Sequence, residues 1–236
     1  MLLIRSGAIE GYEKLVYLLG HNPHKILQEL GMSCAQLREP EALISYVKIA
    51  DLLDLTAQVC GDPIFSLRLA EKQTAMAIGE LALSTNQQST MRESIEFSNK
   101  HMRLHARGVH LTYHTCGEVA ELHLNFDFTN ASGLQQLILL SIGQIYNVVT
   151  TFLGEVNTRL KMDFQQVIHN NVKASVQTYK AHLNVGSGFN GIHFPSSWLD
   201  RKNKQNDLLL KEHFNKRIQL LESIYPEDLQ AQVRFM

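Results

Sequence analysis

From Phe128 to Gly154 the chain carries no aspartate, glutamate, lysine or arginine. This run constrains the fold most, because a helix of that length without an ion must be wrapped in protein or in lipid. Gln135, Gln136, Ser141, Gln144, Asn147, Thr150 and Thr151 interrupt its apolar residues. A membrane span needs about 20 predominantly apolar residues, and here amides and hydroxyls recur on every second turn. The segment is therefore expected to be a helix buried inside a soluble protein, with no membrane partner. Gln136, Gly143, Gln144, Asn147, Thr150 and Thr151 form an uncharged polar stripe along it. A solvated face normally carries Lys and Glu, so this stripe should be a packing face, a dimer contact or the wall of a neutral cavity.

The flanking sequence shows what could wrap such a helix. Residues 1–75 read as short helices with clear punctuation. Ile9 to Leu19 is apolar-periodic and ends at Gly20, and Asn22-Pro23 offers a cap and first-turn proline for a helix stopping at Gly31. Tyr46, Ile49, Ala50, Leu53, Ala57 and Cys60 recur at helical steps before Gly61, and Asp62-Pro63 opens another helix over Ile64 to Glu71. Gly79 to Leu83 fits either a short strand or a helical turn. Thr90 to Arg107 reads as a helix ended by Gly108.

Then the period changes. Val109, Leu111 and Tyr113 alternate with histidine and threonine, and Leu122, Leu124, Phe126 and Phe128 alternate with polar residues, which predicts a hairpin about Cys116-Gly117-Glu118. Leu160 to Val167 and Gly191 to Phe194 read as further strands, and Ser175 to Leu183 as a helix. Asp207 to Tyr225 is an amphipathic helix with Leu210, Phe214, Ile218, Leu221 and Tyr225 on one side. Without regular βαβ alternation, the expected class is α+β: a helical part followed by a small antiparallel sheet packed with helices. One domain is expected over 1–236, made of a helical subregion (1–75), an α+β core (76–205) and a closing helix with the start of a linker (206–236).

Twenty-two basic and 23 acidic side chains give a net charge of −1, with an isoelectric point near 6.8. That balance excludes a self-sufficient nucleic-acid-binding protein, which needs a basic face. Cys34, Cys60 and Cys116 are odd in number and lack any CxxC spacing, which fits a reduced, cytoplasmic setting.

Plotted at about 100° per residue, the helix after Ser89 gathers Arg92, Glu93, Glu96, Asn99, Lys100, Arg103 and Arg107 on one face. Opposite lie Met91, Ile95, Met102, Phe97 and Leu104, and between these fall Ser94, Ser98, His101 and His105. Polar groups in an inward stripe either bond the protein's own backbone or line a cavity. These four, followed by Gln144 and Asn147, are the candidate ligand contacts. His101 and His105 also have the spacing by which helical zinc sites place two imidazoles, but position 102 is Met, so the general base of an HExxH motif is missing. His110, His114 and His123 fall on the hairpin's polar face. No GxSxG, Walker loop or GxGxxG occurs. Neither a catalytic residue nor a metal or cofactor is expected, and a histidine-based metal enzyme is the least favoured reading.

Several segments in order resemble the N-terminal, arabinose-binding-like regulatory domain of AraC-type bacterial transcription regulators. GYEKLVYLLGHNPHKILQELGM looks like that family's first two helices, and ALISYVKIADLLDLTAQVCGDPIFSLRLAEKQ is similar to its next pair. IGELALSTNQQSTMRESIEF resembles the family's most recognisable stretch, with Gly79, Leu81, Ser84, Thr90, Arg92 and Glu93 at the signature positions. VQTYKAHLNVGSGFNGIHFPSSWLD is similar to its closing helix–strand signature. The resemblance runs from Ile9 to Leu221. Val172 stands where the family often has the proline of His-x-x-Pro, and Arg201-Lys-Asn-Lys204 replaces a proline-rich turn. The resemblance implies a domain that senses an unknown small-molecule effector and forms a homodimer. It also implies that DNA is contacted only through a C-terminal helix-turn-helix domain, absent from this chain. A dimerisation module without an effector is the alternative.

Overall fold

The computed structural model describes residues 2–128, 133–154, 158–168, 176–179, 182–203 and 207–224. The uncharged run forms α8 (Leu134–Leu153), long and apolar enough to cross a membrane but mostly buried in the protein. One of its faces meets α4 (Tyr46–Val59) and α5 (Phe65–Lys72), and another meets the main sheet. Its polar stripe is a packing face. Gln136 donates from Nε2 to the Pro63 carbonyl and accepts from the Ser66 N–H, which satisfies backbone groups at the start of α5. At Gly143 the helices come so close that a Cβ would lie 2.5 Å from that of Ala70. Glycine is the one residue that fits this crossing.

The punctuation of the first 75 residues acts locally. Asn22 accepts the His24 N–H and Pro23 opens α2 (Pro23–Glu29), following α1 (Tyr12–Leu18). Gly20, Gly31 and Gly61 take the left-handed backbone conformation beyond their helices. This subregion is not purely helical, however. Leu3–Arg5 (β1) and Leu43–Ser45 (β2) pair antiparallel, on either side of α1, α2 and the short α3 (Cys34–Leu37). Three-residue strands carry too little alternation to stand out in the sequence.

Gly79 to Leu83 resolves as helix: α6 spans Glu80–Thr85 and α7 Met91–His101. The five-stranded sheet runs in the order β3 (Val109–Cys116), β4 (Val119–Phe126), β7 (Gly191–Pro195), β5 (Lys161–Phe164) and β6 (Leu183–Val185). The register sets Tyr113, Leu122, Ile192, Met162 and Leu183 in one row. This face covers α8. Glu121, His123 and His193 lie on the other face, with Asp163, which is fully buried yet satisfied by the His193 and Asn184 side chains at 2.6 and 2.5 Å.

Two expectations need correcting. The sheet is not wholly antiparallel, since β5 and β6 run parallel. Ser175 to Leu183 is not one α-helix: among its described residues Gln177–Tyr179 form a turn, His182 has 3-10 helical geometry and Leu183 opens β6, while positions 175, 180 and 181 lie outside the described residues. Strand pairing decides this end, because Leu183 pairs with Met162 at the sheet edge. The closing helix, α9 (Leu208–Ile224), follows the expected span, and Tyr225 lies outside the described residues.

Candidate functional site

An apolar cavity of about 60 Å³ lies between α6, α7, α8 and the sheet. Ala82, Ile95, Leu111, Leu122, Val149 and Phe152 form much of its wall, with Thr85, Ser94 and Ser98 as the hydroxyl residues. A space of this kind admits water or a small organic group. Ser94 Oγ is 3.0 Å from the carbonyls of both Thr85 and Thr90, and its single proton is shared between them. Thr85 and Ser98 hydroxyls meet at 2.8 Å. Such a pair of hydroxyls uses one of its two protons internally. The cavity surface is almost wholly apolar.

Of the six candidates, only Ser94 and Ser98 line this cavity. The reason lies in α7, which ends at His101 and gives way to a tight turn over Met102–Leu104. The Arg5 N–H bonds the His105 carbonyl, and the Arg107 N–H bonds the Leu3 carbonyl, so β1 draws the chain out of the helix. A helical plot carried through to Arg107 therefore puts His105 on a face that does not exist. His105 is buried elsewhere. Burial, together with the nearby Arg5 charge, pushes its pKa down to about 3, so the imidazole is neutral.

His101 turns towards α9. Its Nδ1 donates to Glu222 Oε1 at 2.9 Å, and the Arg103 guanidinium donates to the same oxygen at 2.8 Å. Burial works against ionisation of Glu222, but the bonds from Arg103 and His101 outweigh it and hold the carboxyl below its ordinary range. The two histidines thus share no metal position. Gln144 donates to the Ala8 carbonyl and to Gln73, and Asn147 donates to the Ala70 and Gln73 carbonyls while accepting from Tyr179. Both amides satisfy backbone carbonyls within the helical packing.

Sequence reasoning missed Thr85 and the apolar wall. Thr85 is one helical element away from the stripe, and no local spacing connects it to Ser98. A second groove, about 590 Å³, opens beside Arg5, Lys14, Arg38, Glu10, Glu41 and Glu80. Of its charges, Arg5 pairs with Glu41, and Glu80 pairs with Arg217.

Residues 20–203 match the model of the arabinose-binding domain found at the N-terminus of AraC transcription regulators. The chain belongs to this AraC-type family. Among solved structures it is similar to that of the transcriptional regulator CdpR from Pseudomonas aeruginosa, with a TM-score of 0.54 and 13% identity over 93% of this chain and 70% of that one. At that identity the likeness is one of fold. No curated protein matches the sequence.

The stretch that resembles the AraC-type signature has structural work around the cavity. Gly79 has φ +68°, and a Cβ there would come within 2.8–2.9 Å of the Arg5 guanidinium. Thr90 accepts the Glu93 N–H, while Glu93 accepts the Ser89 N–H, so the two brace the start of α7. Arg92 reaches Asp200 and the Tyr113 hydroxyl, and its N–H bonds the Leu199 carbonyl. These contacts fix α7, the cavity's main wall, to the sheet and to the closing segment.

Proposed function

We propose that this chain is the effector-sensing unit of a cytoplasmic, bacterial AraC-type regulator, folded as one regulatory domain. It acts on DNA only through a helix-turn-helix domain outside this sequence, and has no catalytic role of its own. The effector is a small, largely apolar molecule, held in the cavity against Ser94, Ser98 and Thr85. The observation that carries this reading is a shared wall: α6 and α7 line the cavity and also hold α9. Arg217 of α9 makes a forked pair with Glu80 of α6 at 2.7–3.2 Å, and Glu222 of α9 is held by His101, the last residue of α7, and by Arg103 just beyond it. A ligand that shifts α6 against α7 changes the seat of α9, and α9 leads towards the DNA-reading domain. Such a ligand moves the equilibrium only by its differential affinity for the two arrangements.

Thermal-shift screening of the chain against small metabolites tests the site, since binding to the native state raises Tm. A hit should be lost in Ser98→Leu, which fills the space between α6 and α7, and kept in Asn147→Ala. A hit indifferent to Ser98→Leu places the effector elsewhere.

Homodimerisation through α9 has an observation of its own. Leu208 and Leu209 are nearly four-fifths exposed, and Leu210 and Leu220 about half. Leu209 and Leu220 fall on one side of the helix, and exposed leucines of this kind suit a two-fold contact. Light scattering should find a dimer that Leu208→Glu/Leu209→Glu turns into a monomer. If the variant stays dimeric, α9 is not the interface.

A further inference from the structure

Away from the cavity, Glu13, His24 and Cys34 bring a carboxylate, an imidazole and a thiol together, their donor atoms all within 4.8 Å of one another. Cys34 Sγ is 3.1 Å from His24 Nδ1. The three residues come from three elements, α1, α2 and α3, and each is the first or second residue of its helix. Two of these starts are fixed by side-chain caps. Asn22 holds the turn before His24, and Ser33 and Gln36 cap each other's backbone around Cys34. Donors on capped helix starts keep their mutual distance without a ligand, which is the preorganisation a metal site needs.

We infer that Glu13, His24 and Cys34 form a binding site for a divalent zinc-like ion. Zn–S and Zn–N bonds of about 2.3 and 2.0 Å in a tetrahedron set two donors roughly 3.5 Å apart. Cys34 Sγ and His24 Nδ1, at 3.1 Å, are within half an ångström of that value, and the Glu13 carboxylate lies within 4.8 Å of both. Thiolate and imidazole select zinc over magnesium or calcium, which take oxygen ligands. Charge also balances: one thiolate, one carboxylate and a neutral imidazole cancel the two positive charges of the ion. A half-buried site with no net charge avoids the cost of desolvating an unpaired ion. Cys34 is buried, Glu13 half-buried and His24 exposed, so the ion enters from the His24 side and water takes the fourth position.

Binding forms the Zn–S bond and releases the thiol proton to solvent, so affinity rises with pH. The site joins α1, α2 and α3, so occupancy would stabilise the helical subregion, including the charged groove that Glu13 also lines. The histidine spacing at His101 and His105 pointed to a different place. Glu13, His24 and Cys34 are eleven and ten residues apart in sequence, too far for any helical periodicity to link them.

Cobalt titration of the purified 236-residue chain tests the assignment. One equivalent of Co²⁺ should give a sulfur-to-cobalt charge-transfer band and intense tetrahedral d–d bands, and Zn²⁺ should bleach both. Zinc at a hundredfold excess over its dissociation constant should raise Tm by roughly 5–10 °C. Cys34→Ser should abolish the sulfur band, and His24→Gln, at an exposed position, should weaken cobalt binding at least tenfold without lowering the metal-free Tm. Absence of the band in the native chain overturns the site. So does a band that survives Cys34→Ser, since the thiolate would then be Cys60 or Cys116. If Cys34→Ser fails to fold, His24→Gln decides: unchanged cobalt affinity overturns the assignment.

Discussion

The buried imidazole of His105 makes the stability of this domain depend on pH in a way that can be worked out beforehand. Its pKa falls from the ordinary 6.5 to about 3 in the folded chain. A depressed pKa means that the unfolded chain takes up a proton which the folded chain refuses. The stabilisation is therefore complete above the ordinary histidine pKa and is lost as pH falls towards the folded value. Going from about pH 7.5 to about pH 5.5, the unfolded state gains most of one proton at this site. The expected loss is roughly 1.4 kcal/mol, or roughly 3–6 °C in Tm for a chain of this size. His105→Leu removes the titration. Leucine is close in volume, and the Nδ1 it replaces has no hydrogen-bond partner. Urea unfolding followed by the fluorescence of Trp198, the single tryptophan and a buried one, measures both proteins across this range. The stability of wild type relative to His105→Leu should fall by roughly 1.4 kcal/mol as pH falls. A difference that stays constant with pH would refute the buried, neutral imidazole.

Other outcomes follow from the same contacts. Glu222→Gln should loosen α9, seen as faster limited proteolysis between α6 and the chain end. The wild type should approach that behaviour as pH falls through the lowered carboxyl pKa, because the bonds from His101 and Arg103 require the ionised form. Asn147→Leu removes the donor that bridges the Ala70 and Gln73 carbonyls, of which Ala70 keeps the Gln73 N–H, so chemical denaturation should register a loss of about 1 kcal/mol. Gly191→Ala places a Cβ 2.0 Å from the Leu122 carbonyl oxygen, between β4 and β7. A loss of at least about 2 kcal/mol is expected, and a neutral result would mean that the two strands are farther apart.

Sequence periodicity and punctuation determined much of this protein. The Asn22-Pro23 cap, the glycines after α1, α2 and α4, the hairpin about Gly117 and the buried α8 all follow from residues within one or two turns of each other. Their physics is local, since a cap bonds its own helix and alternation sets the faces of its own strand. The resemblance carried by Gly79, Thr90, Arg92 and Glu93 gave the family, although it did not say what those residues hold.

Where α7 stops was a tertiary decision. Nothing in Met102–Ala106 breaks a helix by itself; β1, about a hundred residues earlier in the chain, offers hydrogen bonds that the helix cannot make at the same time. That competition divides the inward stripe. Ser94 and Ser98 face a cavity, His101 faces Glu222, and His105 is sealed beside Arg5. The uncharged stripe of α8 was likewise legible as protein-facing, yet only the opposing carbonyls of Ala8, Ala70 and Gln73 made it a packing face. The same limit hid Glu13, His24 and Cys34, whose convergence depends on how three helix starts are turned towards each other. Sequence specifies which groups must find partners, and the packing of distant segments decides which partners they find.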